Sequence, residues 1–130
     1  MEDLNTRIAV LWIFMAVAMS AHSILMFMEP GIIEQMISGE IWEGMDPEQA
    51  LFVVTLFWLI PLIMAFLSVT IKGSVNRWAN MIVGIVFTII NIWHITEPCC
   101  NLAHQKLLIA FTIIVTALVV WYAYKSPKED

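Results

Sequence analysis

Residues 93 to 105 read WHITEPCCNLAHQ, which places two histidines, a glutamate and two adjacent cysteines between two long apolar runs. Imidazole and thiolate are the side chains that bind transition metals most readily, so the segment is a candidate site. A third histidine, His22, stands alone inside the first apolar run. With Met15, Met19, Met26 and Glu29 it recurs at steps of three and four, so all five share one face of a helix. Thioethers beside an imidazole suit copper(I) or a haem iron. Methionine also fills apolar gaps adaptably, and the chain has nine, so a packing stripe is the plain alternative.

Cys99 and Cys100 lack the CxxC spacing of a redox pair, and neighbours in sequence cannot close an unstrained disulfide. Two thiols at one spot could hold a soft ion such as copper or mercury, or could simply be small residues in a turn. A third pattern lies before His94. Asn80, Gly84, Thr88, Asn91 and His94 fall on one side of a helix, as a polar stripe. Such a stripe either lines a path through a membrane or bonds helices together, since Asn and Thr bond across helices and Gly allows close approach. The segment also lacks any recognisable catalytic signature. There is no GxSxG, no HExxH, no glycine-rich phosphate loop and no basic surface for nucleic acid.

The elements that must position these groups follow from charge. Hydrophobic residues make up 61% of the 130 positions and charged ones 13%, against roughly 25% charge in soluble domains. Four stretches hold no Asp, Glu, Lys or Arg: residues 8–28, 50–71, 78–96 and 107–124. A hydrocarbon core about 30 Å thick is crossed by about 20 helical residues, so each stretch can span once. The expected fold is all-α, an antiparallel four-helix transmembrane bundle in one domain, with spans near 8–28, 48–71, 77–96 and 104–124. The first run is expected to be retained and not cleaved as a signal, because Glu2 and Asp3 precede it beside a single Arg7.

Between the first two spans, Ile32, Ile33, Met36, Ile37, Ile41, Trp42 and Met45 recur at helical steps among acids, which predicts a short amphipathic interfacial helix broken at Gly39 and Gly44. Asp46-Pro47-Glu48-Gln49 reads as a cap followed by proline at the first helical position. The tight Lys72–Arg77 connection makes spans two and three antiparallel neighbours, with Asn76 as the expected cap of span three. Pro61 could break span two at mid-membrane. Arg7, Lys72, Arg77, Lys125 and Lys128 fall at one end of the bundle and only Lys106 at the other. Basic residues are retained in the cytoplasm, so both termini are expected there. His22, His94, His104, Cys99 and Cys100 then share the outer-leaflet level.

Several segments carry a resemblance. Ala9-Val10-Leu11-Trp12, Pro30-Gly31 with Ser38-Gly39-Glu40, Ile60-Pro61-Leu62-Ile63-Met64 through Leu67-Ser68, Asn76-Arg77-Trp78-Ala79-Asn80 with Gly84, and Trp121-Tyr122-Ala123 together resemble an uncharacterised family of small four-helix bacterial membrane proteins, loosely akin to DoxX-like proteins. The resemblance implies a four-span integral protein of the bacterial or archaeal cytoplasmic membrane and no activity.

Three functions are compatible with these residues. The first is a ligand-binding membrane protein whose outer pocket uses His22, His94 and His104 for haem, another tetrapyrrole or a transition metal, with Met19, Met26, Cys99 and Cys100 as further metal donors. The second is a non-enzymatic accessory protein that forms a homo-oligomer or docks on a larger membrane complex through the small-residue face Ala9, Ala16, Ser20 and Ser23. The third is a small solute carrier using the polar stripe Asn80, Thr88 and Asn91. Membrane lipid is the surrounding partner in each, and nucleic acid is not expected.

Overall fold

The protein is represented by a computed structural model that describes residues 2–40 and 44–127, apart from the side chains at positions 2, 3 and 99. The described residues form five helices: α1 (Glu2–Phe27), α2 (Ile32–Ser38), α3 (Pro47–Thr70), α4 (Gly73–His94) and α5 (Ala103–Lys125). A 3-10 turn, Pro98–Cys100, precedes α5. α1, α3, α4 and α5 are each long and apolar enough to cross a membrane. They run alternately up and down, so the expected four-helix bundle is observed.

Backbone contacts are closest between α1 and α3, α1 and α5, and α4 and α5. The helices are therefore ordered α3, α1, α5, α4, with α1 and α5 meeting along the middle. α3 and α4, joined by the tight basic turn, meet mainly through side chains. The core has an aromatic centre, in which Phe87 of α4 meets Trp12 of α1 at 5.7 Å and Phe57 of α3 at 5.8 Å between ring centroids, both edge-on. Large apolar side chains also cover the outside, among them Phe52, Phe66, Ile82, Trp93, Leu107 and Ile114. An apolar exterior of this extent has no stable partner in water and suits lipid.

α4 is polar on its inner side. Asn76, Arg77, Asn80, Gly84, Phe87 and Asn91 are its buried residues, while Trp78, Ile82, Ile85 and Ile89 face out. Most of the stripe is spent on bonds between helices. Asn80 Oδ1 accepts from Trp12 Nε1 at 2.7 Å and from the Ser68 hydroxyl at 3.1 Å. Its Nδ2 donates to Asn76, which in turn donates to the Ser68 carbonyl at 3.1 Å. The Thr88 hydroxyl lies 2.9 Å from that of Thr116 on α5. Gly84 provides the close approach beside it, since a Cβ there would meet Val120 Cγ2 at 2.8 Å.

Some expectations change. Asn76 does not cap α4, because the helix begins at Gly73 with Lys72 at the cap position and no side-chain bond. Asn76 instead sits one turn inside, buried in the polar network. Pro61 does not break α3, which runs through it from Pro47 to Thr70. Packed against α1, the helix keeps its course despite the missing donor. Ala9 and Ala16 are buried inside this chain, so they cannot form an outward small-residue face. α2 forms where the amphipathic pattern placed it, between Gly31 and Gly39, both in the left-handed region at φ 84° and 81°. Ile41, Trp42 and Glu43 of that pattern lie outside the described residues. Asp46 caps α3 as expected, accepting from the Glu48 amide at 3.1 Å.

Candidate functional site

At the end of the bundle opposite the basic residues, the chain folds back sharply after α4. Backbone bonds close the turn step by step: Thr96 to Trp93, Glu97 to His94 and Cys100 to Glu97 at 3.0 Å. Pro98 opens the 3-10 turn where its missing donor is harmless. This path turns Cys100 back inward against α5, where it is fully buried.

His22 of α1, His94 at the last position of α4, and Cys100 thereby converge. Their ligand atoms all lie within 4.8 Å of one another. The two imidazoles meet edge-on, with centroids 4.9 Å apart. His22 and Cys100 are buried and His94 is half-buried. Donors bound to one ion at metal distances of about 2.0 to 2.3 Å stand roughly 3.3 to 3.8 Å apart, so closure requires shifts of about 1 Å. A haem plane held between the two imidazoles would require them to part, since the rings already meet edge-on.

A second layer holds His22. Its Nδ1 lies 2.5 Å from Gln105 Oε1. The orientation of the Gln105 amide follows from its other bonds, since Nε2 donates to the His22 carbonyl at 3.2 Å and to Glu29 Oε1 at 2.8 Å. Oε1 must therefore be the acceptor, and Nδ1 of His22 carries the proton. With Nδ1 protonated, Nε2 is the nitrogen of His22 that a metal would use. Glu29 Oε1 also accepts from His104 Nε2 at 3.0 Å. His22, Gln105, Glu29 and His104 thus form a chain leading from the buried site to the surface.

The predicted site residues are divided by this geometry. His22, His94 and Cys100 come together. His104 stands apart, exposed and paired with Glu29, so it supports the site from the rim and lies outside the triad. Met19 is buried one turn below His22 and Met26 is half-buried one turn above it. The Cys99 side chain lies outside those described. Of the polar stripe, Asn80 and Thr88 are spent on bonds between helices. Asn91, one turn below His94, donates weakly to Met15 Sδ at 3.7 Å, and its buried Oδ1 has no hydrogen-bond partner among the described residues.

Gln105 was not foreseen as a site residue. It is fully buried, yet a glutamine in the first turn of a helix ordinarily reads as a polar surface residue.

The sequence model of a family of unknown function (DUF6326) matches residues 2–130, and the chain belongs to that family. No curated protein and no solved structure matches it.

Proposed function

We propose that this member of a family of unknown function holds one soft transition-metal ion, copper(I), between His22, His94 and Cys100. The reading rests on one observation above the rest: two imidazoles and a thiol from three separate elements lie within 4.8 Å, with the His22 tautomer set by Gln105. Two nitrogens, one sulfur and no carboxylate in the group favour a soft, low-coordinate ion. Buried methionine beside the triad adds a polarizable surrounding of the same character. A tetrapyrrole is disfavoured by the edge-on contact of the two rings.

The five-to-one distribution of basic residues supports a cytoplasmic location for both termini. The ion would then sit near the outer leaflet of the bacterial or archaeal cytoplasmic membrane. The protein acts as a membrane-held metal binder without catalysis, in a sleeve of lipid. The carrier reading loses support, because Asn80 and Thr88 are committed to inter-helix bonds and α3 continues through Pro61.

The test is an anaerobic copper(I) titration of the detergent-purified protein against a chromophoric chelator. One ion per chain is expected, with at least tenfold weaker retention in each of His22→Ala, His94→Ala and Cys100→Ser. Wild-type retention no better than that of the triple variant would overturn the proposal. A Soret band in the purified protein, lost in His22→Ala, would replace copper by haem.

A further inference from the structure

The opposite end of the bundle holds a polar cavity, independent of the histidine cluster. It measures about 30 Å³ and is walled by Asn5 of α1, Gly73, Asn76, Arg77 and Asn80 of α4, and Ser126 after α5. That volume exceeds the roughly 10–15 Å³ that one water needs. Arg77 is the cation in this wall, and it is only 7% exposed.

A buried guanidinium is costly unless its charge and its donors are met. Those of Arg77 are met poorly. One terminal nitrogen, Nη2, reaches the Tyr124 carbonyl at a long 3.4 Å, and Nε has no hydrogen-bond partner among the described residues. The guanidinium also lies over the rings of Trp78 and Tyr124, at 5.5 and 5.8 Å. Among the described residues no carboxylate pairs with it. Asn76 and Asn80 cannot supply an anion, and their own amides are engaged with Ser68, Trp12 and each other.

We infer that this cavity binds a phosphate group, with Arg77 as its charge partner and Asn5 as a neutral wall residue. The phosphate would lie against the Arg77 guanidinium where it lines the cavity and neutralise the buried cation. Arginine presents a planar fork of donors suited to phosphate. Gly73 brings the start of α4, the positive end of the helix dipole, to the same wall. The phosphate can belong to a phospholipid headgroup at the membrane surface or to a free phosphate.

The experiment uses the full chain in detergent. Native mass spectrometry with added phosphatidylglycerol reads lipid retention, and thermal-shift titration with inorganic phosphate reads the free ion. The variants are Arg77→Gln and Asn5→Leu, the second of which fills the cavity while leaving the arginine in place. Phosphatidylglycerol retained by the wild type and bound at least tenfold more weakly by both variants would establish the lipid source. Stabilisation by inorganic phosphate alone, lost in both variants, would establish the free ion. Equal binding by wild type and Asn5→Leu, or no binding of either probe, would overturn the inference.

Discussion

Gln105 offers no donor suited to copper(I), yet the proposed site would depend on its three hydrogen bonds. Gln105→Leu removes the acceptor that fixes the His22 proton, while helix α5 tolerates leucine at that position. Copper(I) affinity is expected to fall about 10- to 100-fold, the range seen for outer-shell partners, with helical content unchanged by circular dichroism. Unaltered affinity would mean that Gln105 only joins α1 to α5. Two asparagines on α4 provide a further contrast. Asn80→Leu strands the Trp12 donor, while the Ser68 hydroxyl keeps the Met64 carbonyl, and should cost about 1–3 kcal/mol in a detergent unfolding titration. Asn91→Leu removes a buried oxygen that has no hydrogen-bond partner among the described residues, and should leave stability unchanged or raise it. At this scale the sequence was only partly legible. Histidine and cysteine announce themselves by chemistry, and His22, His94 and Cys100 could be named without coordinates. Which of the three histidines stays at the rim, and that a glutamine orients another, depends on where the hairpin turns back, which no local pattern encodes.

The helices were legible for a different reason. Lipid demands uninterrupted apolar runs, so each span is marked by the absence of charge over residues 8–28, 50–71, 78–96 and 107–124. Helix ends were less legible, because α4 begins at Gly73 without a side-chain cap, and Asn76, a natural capping residue, was taken up by tertiary bonds instead. Pro61 misled for the same reason, since packing held α3 together where isolated propensity would bend it. The seam between α4 and α5 carries the prediction at this scale. Val120 Cγ2 stands 2.8 Å and Val119 Cγ1 3.3 Å from where a side chain at Gly84 would begin. Valine is stiff at its first torsion, so the seam has little room to yield. Gly84→Ala should destabilise by about 1 kcal/mol and Gly84→Leu by about 3 kcal/mol, read as the midpoint shift of a detergent unfolding titration. A neutral Gly84→Leu would show that the two helices are free to separate at that level.

Across the whole molecule, buried amides and hydroxyls sit among apolar core side chains such as Trp12 and Phe87, while further isoleucine, phenylalanine and tryptophan cover the outside. The two ends differ as well, the one basic and carrying Arg77, the other acidic and carrying the histidines. This asymmetry predicts the orientation. A fluorescent reporter fused after residue 130 should be active in the cytoplasm, and a phosphatase that works only outside the membrane should be silent there; the reverse pattern would place the histidine cluster inside. The proposed function requires that cluster to be one mononuclear centre. Copper K-edge X-ray absorption on the protein loaded anaerobically with one equivalent of copper(I) tests it most directly. Two nitrogen scatterers and one sulfur at about 1.9–2.3 Å are expected, with the sulfur shell lost in Cys100→Ser and one imidazole lost in His22→Ala. A shell of sulfur alone, or a spectrum unchanged by both substitutions, would contradict the site.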